Sequence, residues 1–233
     1  AASDVYKRQG CLDISLKQKL PFIHLVESSG INLMNYTVEF WSNTGGMFYG
    51  LAKLSAAGIP TIAVLHGLST AGGAYQPGMS DYVIGVKKNG MAALAGPALL
   101  KAATGEIAKN EELGGSEMHS RVTGLVEYLA DDDAHAIEIV RDLINKIDWN
   151  SKILKRESIK FQEPIYDCEE IIGVVPIDYK VPYNVRELIA RIVDSSDFMD
   201  FKPQYGVSTV CVHTKINGFA CGIIGNNGPI DPN

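Results

Sequence analysis

The stretch that decides the fold is residues 61–75, which read TIAVLHGLSTAGGAY. Its first five residues are apolar or β-branched and predict a buried strand. The small residues that follow, with Gly72 and Gly73, predict a tight turn and then a helix, which together would direct backbone N–H groups at one spot. Such a spot stabilises an oxyanion, and glycine lets a carbonyl approach without a β-carbon in the way. A tight turn that binds nothing is the alternative that these two glycines leave open.

The segments on both sides of this stretch alternate between strand and helix patterns. Short apolar runs predict strands at 22–26, 82–86 and 91–94. A helical segment is predicted at 36–57, with a break or kink at Gly45-Gly46, and Pro97 predicts the first turn of a helix over 98–103. This alternation predicts an α/β layered fold.

Three aspartates at positions 131–133 precede the clearest helical pattern. Capping and a favourable interaction with the positive end of the helix explain them better than a metal-binding role. One face of this helix is predicted to be buried through Ala136, Val140, Leu143, Ile144 and Ile147.

The chain changes character after residue 148. Residues 149–181 are charged, interrupted by prolines and without a sustained period, which predicts a linker. Asn184 and Glu187 then predict a capping box for a helix that continues to Val193. Farther on, Asn217-Gly218 predicts a hairpin between strands 209–216 and 219–224.

The hairpin also bears on the cysteines. In a two-residue turn, Cys211 would lie opposite Ile224 and Cys221 opposite Thr214, so the two thiols are not cross-strand partners. Reduced thiols are therefore expected, and together with the lack of a signal peptide they favour a cytoplasmic location.

Composition excludes several classes of protein. The chain has 233 residues, of which 46% are apolar and 21% charged, so it can bury a core and is not a disordered chain. A formal charge of −6 argues against nucleic-acid binding. No apolar run reaches about 18 residues, so we expect no membrane span.

The two ends of the sequence are unusual. Residues 1–9 look like the translation of a transposon-end adapter used in DNA library preparation, and we interpret them as a scar, with native sequence from Gly10 onward. Residues 226–233 follow a strand and close no element. We therefore expect a fragment that is cut at both ends.

No side-chain acid or base stands out. The five histidines are scattered without metal-ligand spacing, and no phosphate-binding loop is present, so no metal site is expected. A triad of Ser69, Asp81 and either His66 or His119 is disfavoured, because Ser69 is not in a nucleophile elbow. An oxyanion turn without such a group suits chemistry in which a cofactor supplies the base.

A set of motifs runs through most of the chain. In order they are 71–75 AGGAY, Asp81, 95–97 AGP, Lys101, 104–106 TGE, 112–115 ELGG, His119, 123–124 TG, 131–136 DDDAHA, 181–192 VPYNVRELIARI and 226–228 NNG. Together they resemble the carboxyltransferase β subunits of biotin-dependent acyl-CoA carboxylases, of the propionyl-, methylcrotonyl- or acetyl-CoA carboxylase type. The resemblance covers residues 22–233 and is specific only as a set.

The resemblance implies a ClpP/crotonase-type fold of ββα repeats that is used twice. Residues 10–148 would be the C-terminal part of an acyl-CoA-binding domain, 149–181 a linker, and 182–233 the start of a second, biotin-side domain. Because both domains would be incomplete, we expect the chain on its own to give no carboxyl transfer.

The resemblance also assigns roles by position. Gly72 and Gly73 would hold the thioester oxyanion, and the turn at Gly30-Ile31 would complete the pocket. Residues that would line the acyl-CoA site are Ala71, Ala74, Tyr75, Ala95, Gly96, Pro97, Lys101, Gly114 and Gly115. The family usually has Ser-Gly-Gly-Ala where this chain has Ser28-Ser29-Gly30-Ile31, and the larger isoleucine bears on acyl specificity.

The implied reaction needs partners. Carboxybiotin on a biotin carboxyl carrier would release CO2, the biotin anion would remove the acyl α-proton, and the enolate would attack CO2. The implied assembly is a β hexamer with a biotin carboxylase or carrier subunit, and no metal in this subunit. A biotin-dependent decarboxylase and a non-catalytic acyl-CoA-binding subunit remain alternatives; a hydratase or isomerase, with Glu106 or Glu117 as base, is disfavoured.

Overall fold

The computed structural model describes residues 2–28, 37–149, 160–178 and 181–228. The chain divides into two compact units, Ala1–Ile139 and Val140–Asn233. The predicted boundaries at residues 10, 149 and 182 stay predictions. In the described ranges, no helix is both long and apolar enough to cross a membrane.

The first unit alternates helices and strands, which confirms the predicted α/β class. Its elements are α1 Ala2–Gln18, β1 Phe22–Ser28, α2 Val38–Ala56, β2 Thr61–Thr70, α3 Tyr75–Gly78, β3 Tyr82–Val86, β4 Met91–Ala93, α4 Pro97–Thr104, α5 Asn110–Gly114, α6 Ser116–Met118, β5 Tyr128–Ala130 and α7 Asp133–Ile147, the last of which continues into the second unit.

A parallel sheet organises the first unit. Its strand order is β1-β2-β3-β5, and β4 pairs with β2. The first half of β2 pairs with β3 from Ile62 onward, and its last three residues pair with β4. Strands covered on both faces need continuous apolar sequence, which is why β2 reads as an unbroken apolar run at its start. The core cluster on this sheet consists of Val26, Ala63, Leu65, Val83, Ala92 and Val126.

Two predictions about this unit were wrong. The strand predicted over 61–65 continues through Gly67 to Thr70, and a β-carbon at Gly67 would stand 2.7 Å from the side chain of Glu27 on the neighbouring strand. The helix α2 runs through Gly45-Gly46 without a break. At Gly46 a β-carbon would clash with Gln9 of α1, and at Gly50 with Leu12. Small residues one turn apart therefore let α1 pack closely on α2.

The start of α7 agrees with the prediction. Asp132 Oδ1 accepts the His135 backbone N–H at 2.8 Å, which is an N-cap bond. Asp131 pairs with Lys87 instead. The predicted apolar face is confirmed, since Ala136, Val140 and Leu143 are buried and the other two positions half-buried.

The second unit contains a three-stranded antiparallel sheet. Its elements are α8 Ile171–Val174, α9 Val185–Ile189, β6 Phe198–Phe201, β7 Thr209–Ile216 and β8 Phe219–Asn226, with strand order β6-β7-β8. The predicted hairpin register is confirmed: Cys211 pairs with Ile224 and Cys221 with Thr214, and all four cysteines of the chain are free. A core of Val185, Ile189, Val193, Val210 and Val212 joins α9 to the sheet.

The helix α9 is shorter than predicted and only half of its capping box forms. Asn184 Oδ1 accepts the Arg186 N–H at 3.1 Å, as expected for an N-cap. The Glu187 carboxylate instead pairs with the guanidinium of Arg191, one turn along the helix.

Candidate active site

The predicted oxyanion turn follows the carboxyl end of β2. Ala71–Gly73 form one 3-10 turn, closed by the Ala74 N–H, which donates to the Ala71 carbonyl at 3.1 Å. The helix predicted after it is a single turn, α3. In a 3-10 turn the first two N–H groups, here those of Ala71 and Gly72, precede the first internal bond and have no acceptor within the turn. These two donors make the turn suited to an anionic oxygen.

The two glycines of the turn have different surroundings. A β-carbon at Gly73 would stand 2.7 Å from the Ser28 carbonyl oxygen, so the end of β1 packs against it. Among the described residues, which exclude 29–36, a β-carbon at Gly72 would meet one atom within 4 Å, Phe48 Cζ at 3.9 Å. Phe48 in turn lies edge-on to Tyr75, with ring centroids 5.7 Å apart. Gly73 therefore provides packing, and the described residues leave space at Gly72 beside an aromatic pair.

The second set of predicted residues follows the adjacent strand. Thr70 of β2 pairs with Ala93 of β4, so the segment 95–97 leaves the sheet beside the turn. Gly96 is the N-cap of α4 and Pro97 its first residue, as predicted. Lys101 is exposed in the last turn of α4, a helix with no buried residue.

Gly114 and Gly115 contact the same short strand. A β-carbon at Gly114 would stand 2.3 Å from the Ala92 carbonyl oxygen, and Gly115 forms an isolated bridge with Met91. The structure therefore brings the turn, the segment 95–97 and this glycine pair together around β4. Gly30 and Ile31 lie outside the described residues, and Ser28 is the last described residue before them.

A polar network supports α3 behind the turn. His24 Nε2 lies 3.0 Å from Ser80 Oγ, and Ser80 donates to the Gln76 carbonyl at 2.9 Å. Gln76 itself is buried. Burial is the main cause that lowers the pKa of His24 to about 4; Arg8 lowers it further, and a hydrogen bond with Gln76 opposes the shift. His24 is therefore a neutral, structural imidazole at neutral pH.

The residues considered for a triad do not assemble. Ser69 is fully buried, and its hydroxyl points to the Val26 carbonyl at 3.5 Å. Asp81 accepts the N–H and the hydroxyl of Thr61, both at 2.8 Å. His66 Nδ1 lies 3.8 Å from a carboxylate oxygen of Asp133.

The two glutamates considered as a general base lie on separate segments of the chain. Glu106 is exposed in the loop after α4. Glu117 lines a cavity of about 60 Å³ together with Gly115 and Leu68. In the part of the chain that the structure describes, no three His, Cys, Asp or Glu side chains are grouped to hold a metal ion.

The sequence does not predict the roles of three groups around the turn. Ser28 belongs to a family motif, the Ala92 carbonyl has no side-chain signal, and His119 belongs to the motif set and to the disfavoured triad, without a predicted contact to β4. In the structure His119 Nε2 contacts that carbonyl at 2.8 Å. Only His119 had a detectable signal, because a histidine follows the Gly-Gly pair within one helical turn.

Comparison with known proteins gives consistent relatives. The chain is 47% identical over 213 residues to the "probable biotin-dependent acyl-coenzyme A carboxylase beta2 subunit" of Mycobacterium tuberculosis, which covers 91% of the chain and 40% of that protein. It is also 47% identical to the β subunit of P. aeruginosa geranyl-CoA carboxylase, with a TM-score of 0.56 over 97% of the chain and 42% of that structure.

A third relative fits the fold more closely. The transcarboxylase 12S structure, described as a hexamer with hydrolysed methylmalonyl-coenzyme A bound, is 31% identical with a TM-score of 0.83 over 97% of the chain and 43% of that structure. These likenesses confirm the predicted crotonase-like α/β fold. The chain spans about two fifths of the length of each of the three relatives.

A comparison with family profiles, which does not depend on any one relative, also gives a match. The profile of the carboxyl transferase domain matches residues 5–231, almost the whole sequence. The chain therefore belongs to the carboxyl transferase domain family.

Proposed function

We propose that this chain is part of a carboxyltransferase β subunit of a biotin-dependent acyl-CoA carboxylase. The full-length subunit, meaning the complete gene product in which this sequence occurs, would move a carboxyl group from carboxybiotin to the α- or γ-carbon of an acyl-CoA. The names of the relatives support this proposal, and one feature of the turn supports the chemistry.

The observation that carries the proposal is the space at Gly72. Its N–H has no acceptor within the turn, and among the described residues the nearest atom to a β-carbon there would be Phe48 Cζ at 3.9 Å. A thioester oxygen can therefore approach the N–H of Ala71 or Gly72 directly. When charge develops on that oxygen as the acyl-CoA becomes an enolate, preorganised N–H donors stabilise the charge more than they stabilise the neutral thioester.

The backbone N–H donors of the turn suit a reaction in which the cofactor, and not a protein side chain, acts as the base. Carboxybiotin supplies the carboxyl group and, after loss of CO2, the base that removes the acyl proton. The protein is left with binding and charge stabilisation, which agrees with a turn where the nearby histidine, serine and aspartate side chains are engaged with one another or with the backbone. Gly73 would share this role by fixing the turn against Ser28.

The acyl-CoA would lie along β4. Ala95, Gly96 and Pro97 on one side and Gly114 and Gly115 on the other meet this strand, beside the turn. Ala71, Ala74 and Tyr75 would line the acyl end, with Gly30 and Ile31 completing it. Lys101 is exposed and can pair with a CoA phosphate.

The proposed partners are a biotin carboxylase or biotin carboxyl carrier subunit and further copies of the β subunit. The hexamer of the transcarboxylase 12S structure supports a hexameric assembly.

The test is carboxyl transfer in reverse, with free biotin as acceptor. The full-length subunit is incubated with biotin and a panel of carboxylated acyl-CoAs, and carboxybiotin formation is followed; the preferred acyl-CoA then names the substrate. Transfer supports the proposal. A folded subunit that binds CoA and transfers nothing would leave it as a non-catalytic binding subunit. Identification of the co-expressed partner separates carboxylase from decarboxylase, because a biotin carboxylase partner is expected.

A further inference from the structure

His119 joins two elements at the edge of the proposed site. It begins a π-helical turn, His119–Thr123, that follows α6, and such turns often mark functional positions. Its Nε2 lies 2.8 Å from the Ala92 carbonyl oxygen and its Nδ1 2.8 Å from Thr123 Oγ1. A carbonyl oxygen only accepts hydrogen bonds, so Nε2 carries a proton and donates to Ala92. The Thr123 hydroxyl, which donates to the His119 carbonyl oxygen at 3.3 Å, contacts Nδ1 on the other side of the ring. The ring orientation is thereby fixed by partners on both nitrogens.

The carbonyl that His119 holds lies at the centre of the site. Ala92 pairs with Ser69, and the next pair, Ala93 with Thr70, immediately precedes the oxyanion turn. The same Ala92 oxygen would lie 2.3 Å from a β-carbon on Gly114. A shift of this carbonyl would therefore change the spacing between the turn and the Gly114-Gly115 pair.

β4 depends on such side-chain support. It has three residues and three register partners in β2. At its start, the N–H and the hydroxyl of Ser116 both donate to the Gly90 carbonyl, at 2.9 and 3.0 Å. At its middle, His119 holds Ala92. Ser116 and His119 thus hold two backbone carbonyls, those of Gly90 and Ala92, at the start and middle of β4.

We propose that His119 is a positioning residue, which sets the distance between the oxyanion turn at Gly72 and the acyl-CoA-lining segments at Ala95–Pro97 and Gly114-Gly115 by holding the Ala92 carbonyl. This inference rests on the proposed carboxyltransferase function. The effect of the imidazole would pass through the Ala92 carbonyl to β4.

The experiment compares wild type with four variants of the full-length subunit. H119A removes both hydrogen bonds, and H119Q keeps an N–H donor for Ala92. H135A is the matched control, because His135 is also hydrogen-bonded to backbone, at the Asp131 N–H, but lies at the start of α7. T123V removes the hydroxyl that orients the ring. CoA affinity is measured by calorimetry, which also counts binding sites, and kcat for biotin carboxylation is normalised to that count.

We expect H119A to lower normalised kcat at least tenfold and to weaken CoA binding about fivefold. H119Q should stay within threefold of wild type in both quantities, T123V should show a smaller loss in the same direction, and H135A should be unchanged. A uniform structural defect would reduce the number of sites and leave kcat per site unchanged.

The outcomes separate the two proposals. If wild type transfers carboxyl groups and H119A matches H135A, or if folded H119Q is as impaired as H119A, the positioning role is wrong. If wild type binds CoA but transfers nothing, the carboxyltransferase proposal is wrong and the CoA affinities still test His119. If H119A does not fold, H119Q is the test: activity within threefold of wild type supports the positioning role, and a greater loss in folded protein contradicts it.

Discussion

Gly73 and Ser28 are packed so closely that a β-carbon at position 73 would stand 2.7 Å from the Ser28 carbonyl oxygen and 2.8 Å from its β-carbon. Ser28 is the last residue of β1 and pairs with Ser69, near the end of β2. The contact therefore fixes how the oxyanion turn sits on the end of the neighbouring strand. Backbone cannot retreat as a flexible side chain can, so this position tolerates no larger residue.

Gly73→Ala should destabilise the protein and impair carboxyl transfer together. Overpacking of this kind costs about 1–3 kcal/mol. Urea unfolding of the full-length subunit measures the free energy of unfolding. Gly78→Ala is the matched control, because a β-carbon there meets nothing within 4 Å and alanine favours helix. Equal stability of the two variants would contradict the close contact.

Gly72→Ala should separate activity from stability. The β-carbon would lie in ordinary contact with Phe48 Cζ at 3.9 Å, so the free energy of unfolding should change by less than about 0.5 kcal/mol. The same methyl group occupies the space through which a carbonyl oxygen reaches the turn, and loss of an oxyanion donor costs about 100-fold in kcat. We expect at least a tenfold lower kcat for carboxyl transfer to biotin. Wild-type kcat in this variant would mean that the oxyanion binds elsewhere.

The sequence predicts elements well where one local signal dominates. The β-branched run at the start of β2, the cap of α7 and the hairpin at Asn217-Gly218 all follow from local chemistry, and their positions agree with the structure. In the hairpin even the register follows, because a two-residue Asn-Gly turn fixes which residues are opposite.

Predictions fail where a neighbour on another element decides. The pair Gly45-Gly46 predicts a break or kink, yet it lies in an unbroken helix that packs on α1 near Gly46 and Gly50. The strand predicted over 61–65 continues through Gly67 to Thr70, and Glu27 on the adjacent strand occupies the space beside Gly67. Local propensity cannot contain such information.

The candidate site also combines a part that the local sequence predicts with a part that only the fold brings together. The Gly72-Gly73 turn is visible as a strand followed by small residues. The Ala92 carbonyl is backbone, carried by any residue type, and only the fold places it beside His119.

His24 should make the protein less stable as the pH is lowered. Its unfolded pKa is near 6.5 and its folded pKa is about 4, so between these values the unfolded chain binds more protons. Stability therefore rises with pH in this window and is lost as the pH falls from 6.5 to 4, by at most about 3 kcal/mol from this group. His24→Gln, which keeps a donor to Ser80, should be less dependent on pH over that window.

The check is a difference between two urea titrations at each pH. Carboxylates titrate in the same range, and subtracting the wild-type and His24→Gln curves removes their contribution. His135→Gln, at a half-buried histidine at the start of α7, is the control and should follow wild type. Parallel curves for wild type and His24→Gln would show that His24 does not couple to folding.

Asp194 should be the residue on which the hairpin of the second unit depends most. Its two carboxylate oxygens accept the N–H groups of Asn217 and Gly218, at 2.8 and 2.7 Å. Both turn residues have positive φ, 52° and 76°, so their N–H groups point to the same side and one carboxylate serves both. Hydrogen bonds to a charged acceptor contribute about 1.5–3 kcal/mol each at most, and removal leaves two N–H donors without this partner.

Asp194→Ala should therefore lower the free energy of unfolding by about 2 kcal/mol, and Asp194→Asn by less, because one amide oxygen remains as acceptor. Asp142→Ala, at an exposed position of α7, removes the same charge and should change stability by less than about 0.5 kcal/mol. Hydrogen exchange at the Asn217 and Gly218 amides should accelerate in Asp194→Ala and stay at the wild-type rate in Asp142→Ala. If both variants lose equal stability, net charge rather than the turn contact is responsible.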